Sequence, residues 1–169
     1  MALVNAKLSV QLLAKLTSVL DLSVAEDPLN FDKLFEIGDG TGANQGDMLW
    51  HDQRTLSASA TEDLDLAGSL SNAFGTTQTF VRVNIVMVFA AKGNTNDVQV
   101  QRASSNGVPV FMAASDGVAL PPGGLMLLYF GDDATDVVVT AGTGDKLTIT
   151  NSAGSTSVTY DILVLGASA

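Results

Sequence analysis

Residues 8–24 read LSVQLLAKLTSVLDLSV, and the fold class turns on this run. The even positions are Leu8, Val10, Leu12, Ala14, Leu16, Ser18, Leu20, Leu22 and Val24, with one polar residue among them. The odd positions are Ser9, Gln11, Leu13, Lys15, Thr17, Val19, Asp21 and Ser23, with only Leu13 and Val19 apolar. A sustained period of two predicts an extended ribbon with one face to bury. A helix competes for the same residues, because Leu8, Leu12, Leu16 and Leu20 fall four apart and Leu, Ala and Lys favour helices. Val10 and Leu22 fit alternation better, so the strand reading is preferred. Leu8, Val10 and Leu12 become interface candidates on an N-terminal arm. The ribbon is expected to end at EDPLN, where Pro28 has no N–H to give a ladder.

The segment FDKLFEI from Phe31 is apolar but of undecided type. It leads into GDGTGANQGD at Gly38–Asp47, an irregular loop with four glycines in ten residues. Strands are expected over MLWHDQRTLSAS from Met48 and EDLDLAG from Glu62. LSNAFG at Leu70 suits one helical turn or a tight connection. Phe80–Phe89 reads as a central strand, and VQVQRA from Val98 alternates strictly. Asn106-Gly107 signals a hairpin leading into a strand VPVFMAA, with Pro109 suited to an edge. LMLLYF, VVVTA, KLTIT and SVTYDILVLG follow as strands, separated by the turns PPGG, GDDATD, GTGD and NSAGST. Short strands with such turns, and no long helices for crossovers, predict an all-β antiparallel sandwich, of which a jelly roll is one form. Residues 1–46 are read as the arm, edge strand and Gly-rich loop, and residues 47–169 as the sandwich domain.

Composition narrows the function. At 169 residues a single core can bury about 70% of the unfolded surface, so no covalent staple is required. The chain lacks cysteine, which removes disulfides, thiolate metal sites and cysteine nucleophiles. Eighteen acidic residues against 8 basic ones give a net charge of -10, a surface that repels nucleic-acid phosphate and anionic membranes. Hydrophobic residues make up 46% and charged ones 15%, so the acidity is not that of a disordered chain. A low charged fraction on a β-rich chain hints at surface hidden against other subunits. No targeting segment is expected at MALVNAKLSV, and the longest apolar stretch, from Ile85, is too short for a membrane helix.

The candidate sites favour structure over chemistry. His51 is the chain's one histidine, and no nucleophile motif accompanies it. One histidine without cysteine leaves no zinc set. Asp39, Asn44 and Asp47 offer oxygens for calcium in a Gly-rich loop, a single partial match. Phosphate cradles are excluded, since no Lys-Ser/Thr follows the glycines. Glu62, Asp63 and Asp65 suggest paired carboxylates for glycoside hydrolysis. Their simpler reading is an edge strand with a charged outer face. Arg54, Arg82 and Arg102 are each expected to bridge a carboxylate, within the fold or across subunits. Trp50 and Arg54 share a strand face and are residue types that anchor interfaces, and core packing is an equal reading for Trp50. No catalytic residue, cofactor or metal is assigned, and the chain is read as a non-enzyme.

The stretches GTGANQGDMLWHDQRTLSASATEDLDLAGSLSNAFG, TFVRVNIVMVFAAKGNTN and VVVTAGTGDKLTITNSAGSTSVTYDILVLG resemble small structural proteins of tailed-bacteriophage heads, with the capsid decoration or cement proteins as the best match. That resemblance is one of pattern over most of the chain. It implies a β-rich homotrimer that clamps the phage major capsid protein on the capsid exterior, made in the bacterial host cytoplasm. It leaves a tail, neck or fibre component as the nearest alternative. A glycan-binding β-sandwich is a further one, since jelly rolls often serve as lectins.

Overall fold

The computed structural model describes residue 3, residues 6–131 and residues 137–169. Every regular element among them is a strand. The N-terminal run forms β1 (Ala6–Val19), which folds back on β2 (Val24–Ile37) as an antiparallel hairpin. The hairpin is a two-stranded sheet of its own. Pro28 does not end it: it sits inside β2 opposite Lys15. Both strands of a two-stranded ribbon are edges, and an edge strand tolerates a residue without an N–H. FDKLFEI is therefore strand, the distal-to-basal continuation of β2.

The body is built from β3 (Met48–Leu56), β4 (Thr61–Asp65), β5 (Leu70–Ser71), β6 (Thr77–Gln78), β7 (Arg82–Ala90), β8 (Val98–Arg102), β9 (Gly117–Leu120), β10 (Leu125–Tyr129), β11 (Val137–Val138), β12 (Lys146–Asn151) and β13 (Val158–Ala167). One sheet runs β10-β7-β13-β3, with β11 also pairing β7, and the other runs β4-β12-β8-β9. The main pairings nest: β8 with β9, β7 with β10, β4 with β12, and β3 with β13, all antiparallel. The two sheets pack as a β-sandwich. Alternate residues of each strand face inward, so Val98, Val100, Leu147, Ile149 and Leu64 of one sheet meet Val86, Val88, Ile162, Val164 and Trp50 of the other. Full burial of each such side chain contributes roughly 1.5–3 kcal/mol.

Three expectations need correction. Residues 108–114 form no strand; the chain there is held as a loop by Arg102, whose Nε donates to the Gly107 carbonyl at 3.1 Å and Nη1 to those of Phe111 and Met112. Strand β9 lies later, at Gly117–Leu120, and it is β9 that pairs with β8. The Asn106-Gly107 signal marks a turn, with Asn106 at φ 58°, but Gly107 bridges to Lys146 and no hairpin follows. VVVTA supplies only the two residues of β11. LSNAFG is the tight connection, with β5 and β6 paired across it. The turn reading for residues 132–136 lies outside the described residues.

A bulge fixes the register between β7 and β13. Leu165 pairs with Ile85 but Gly166 pairs with Val83, leaving Asn84 as the extra residue. A Cβ on Gly166 would lie 2.0 Å from the Arg82 carbonyl oxygen, so only glycine lets the two backbones approach.

Candidate interaction surfaces

The hairpin register sorts the arm into two unlike faces. Ala6 and Ile37, Leu8 and Phe35, Val10 and Lys33, Leu12 and Phe31, Ala14 and Leu29, Leu16 and Asp27 are opposed pairs and share one face. The opposite face carries the ion pairs Lys7–Glu36 and Lys15–Glu26, together with the exposed Leu13, Leu34, Val19 and Val24. The apolar face is buried only at its root. Ile37, Ala6 and Leu8 pack there against Ile85, Leu165 and Leu49, and the Phe35 and Tyr129 rings lie 4.6 Å apart. Beyond Val10 the arm leaves the body. Leu12 is 56% exposed, Leu16 74% and Phe31 44%. The tip residues Val19 and Leu22 are more exposed still.

The interface candidates Leu8, Val10 and Leu12 thus lie in line on this apolar face, Leu8 and Val10 half-buried and Leu12 open. Leu16, already among the even positions of the apolar run, lies on this face too, and so do Leu29 and Phe31 of β2. The signal for these two was present in the odd positions Leu29, Phe31, Phe35 and Ile37, masked by reading Pro28 as a break.

Trp50 packs in the core and is 2% exposed, so of its two readings the interior one describes it. Arg54 lies on the same face of β3 but at the open margin between the sheets. There its Nε donates to Glu62 Oε2 at 2.9 Å and its Nη1 to Asp52 Oδ2 at 3.0 Å. Tyr160, fully buried on β13, donates its hydroxyl to Glu62 Oε1 at 2.6 Å. Since β3 and β4 are the edges of the two sheets, this cluster closes one side of the sandwich. Burial, followed by the hydrogen bond and charge of Glu62, pushes the Tyr160 hydroxyl well above the ordinary tyrosine value. Burial pulls the Arg54 pKa down, but Glu62 and Asp52 more than offset it and the net shift is upward.

The other carboxylates are engaged locally. Asp63 accepts from the Thr148 hydroxyl at 2.7 Å and faces Lys146 at 3.7 Å, and Asp65 accepts from the Ala67 amide. Asp39 accepts from the Leu3 amide and Asp47 from the Ser168 amide. His51 is exposed on the outer face of β3, beside shallow grooves that also include Phe74 and Met87. Among the described residues no three His, Cys, Asp or Glu side chains come together as a metal-ligand group.

The Gly-rich loop is organised around an arginine. Arg82 is 2% exposed, and its Nη2 donates to the carbonyls of Thr41, Gly42 and Gln45 at 3.0–3.1 Å. Those carbonyls converge on the guanidinium. Both Arg82 and Arg102 therefore bind backbone carbonyls, where carboxylates were expected. Arginine's rigid fork of donors suits a ring of carbonyls as well as a carboxylate.

No family model matches the chain, and no curated protein matches it.

Proposed function

We propose that this chain is a structural protein of a tailed-bacteriophage virion, a decoration or cement protein that binds the outside of the head and bridges major capsid subunits. The observation that carries the reading is the arm: a projecting hairpin of two 14-residue strands, with an apolar face that, beyond its root, no described residue of the body covers. An isolated hairpin is marginal in water, and exposed apolar stripes of this kind mark contact surfaces.

The strand order supports the same reading. The eight longer body strands nest as β3/β13, β4/β12, β7/β10 and β8/β9, which supports the jelly-roll form of the sandwich, an architecture used by viral capsid domains and by lectins. Fold alone does not carry function, so the argument rests on the arm together with the sequence resemblance. The net charge of -10 keeps an exterior subunit from sticking to packaged DNA. Under this proposal the partners are the major capsid protein and two further copies of the chain, the site of action is the capsid exterior, and synthesis is in the host cytoplasm. No catalytic step is assigned.

Co-sedimentation of the purified chain with heads that lack it tests the proposal. Saturable binding that raises the head's resistance to heat or chelator is expected. Binding to isolated tails and not to heads favours the tail or neck reading. Binding to neither, with retention on a glycan array abolished by Phe74→Ala, favours the glycan reading, for which Phe74 is a strongly exposed aromatic beside a groove.

A further inference from the structure

The outer face of the β10-β7-β13-β3 sheet is apolar in rows. The first row, Tyr129, Ile85, Leu165 and Leu49, is covered by the root of the arm. The next rows are not. Leu127, Met87 and Leu163 form one that ends at the exposed His51, and Leu125 and Phe89 form another that ends at Asp161 and Gln53, with Leu125 57% exposed and Met87 and Phe89 half-buried. Among the described residues, one molecule therefore carries two uncovered apolar surfaces, the distal arm and the outer rows of the sheet. Neither covers the other, because the arm projects away from the body beyond Val10.

We propose that the distal arm of one copy is covered by the outer sheet face of a second copy of this chain. Two observations favour that occupant. First, the fit already exists within each chain: the basal part of the same arm face packs on the first row of the same sheet face. An incoming arm continues that apolar layer onto the rows left open. Second, the area suffices for a dimer. Ten residues from Val10 to Val19 span about 33 Å, and two strands present a face about 10 Å wide. One arm on one sheet then buries about 660 Å², and a two-fold dimer that exchanges both arms in one interface buries ~1,300 Å², within the range of stable interfaces. Each copy gives one arm and takes one, which closes the assembly.

This inference concerns the isolated protein and does not depend on the capsid reading. The test is sedimentation velocity and light scattering on the full chain at 1–50 µM, roughly the span over which such interfaces assemble. A variant with Leu12→Thr, Leu16→Thr, Leu29→Thr and Phe31→Thr keeps strand-forming residues at exposed positions. The unchanged chain is expected to be a closed oligomer. The variant is expected to be a monomer with the same far-ultraviolet spectrum and Trp50 emission, its association at least about a hundredfold weaker. Since the chain has no cysteine, mixed copies carrying either Leu16→Cys or Met87→Cys report the contact through a bis-maleimide. An intermolecular cross-link between them is expected. A wild-type monomer at 50 µM, an oligomer that survives the four substitutions, or the absence of that cross-link overturns the proposal. A monomer that still binds heads would overturn this inference and leave the capsid function standing.

Discussion

Substituting Tyr160→Phe removes one buried hydroxyl and leaves the ring that packs the core. The hydroxyl donates to a carboxylate, Glu62, at 2.6 Å. A hydrogen bond to a charged group contributes about 1.5–3 kcal/mol, so the variant is expected to be less stable by about 2 kcal/mol at pH 8. The pH dependence gives a sharper check. The folded pKa of Tyr160 is raised above its unfolded value of about 10, so the associated stability is present below pH 10 and is lost as pH rises beyond it. Above pH 10 the unfolded chain ionises this tyrosine while the native chain does not. Wild-type stability then falls by about 1.4 kcal/mol per pH unit from this group alone. The variant has no such group. Every other group is common to both proteins and drops out of the difference. The 2 kcal/mol gap should close near pH 11.5. Urea unfolding at fixed protein concentration, followed by Trp50 fluorescence, measures it, since Trp50 is the chain's one tryptophan and is buried. Parallel stability curves for the two proteins from pH 8 to 11.5 would refute the reasoning, as would equal stability at pH 8.

Gly166→Ala places a Cβ 2.0 Å from the Arg82 carbonyl and should cost about 3 kcal/mol or more, a fall in Tm of roughly 6–12 °C by calorimetry. An unchanged Tm would show that the β7–β13 bulge can relax. Arg82→Met removes the donor to three loop carbonyls, so cleavage within residues 38–47 should quicken at least about tenfold in limited proteolysis. Equal cleavage rates would mean that the loop holds itself together through its own contacts, among them Gly46 N to the Gly38 carbonyl at 2.9 Å.

Much of the sandwich was legible because its strands alternate against one core. Val98–Arg102 and Lys146–Asn151 show period two in sequence and bury Val98, Val100, Leu147 and Ile149. The period of residues 8–24 likewise gave the ribbon. Its partner strand was hidden, because Pro28 is a breaker in a central strand and tolerable in an edge. Residues 108–114 looked like a strand by composition, but a single arginine, Arg102, folds that backbone around its guanidinium. A side chain that binds carbonyls across several residues leaves no periodic trace. The same holds for Arg82 and the Gly-rich loop. The Tyr160–Glu62–Arg54 cluster joins residues 98 and 8 positions apart, and only the meeting of two sheet edges brings them together.

The proposed function makes this molecule a building element of a phage head, present in many copies on its outer surface. An electron cryomicroscopy reconstruction of the intact particle, with copy number checked by quantitative mass spectrometry, tests that directly. The account predicts hundreds of copies seated on the outside of the head, bridging neighbouring major capsid subunits. A few copies confined to the tail or neck, or none in the mature particle, would contradict it.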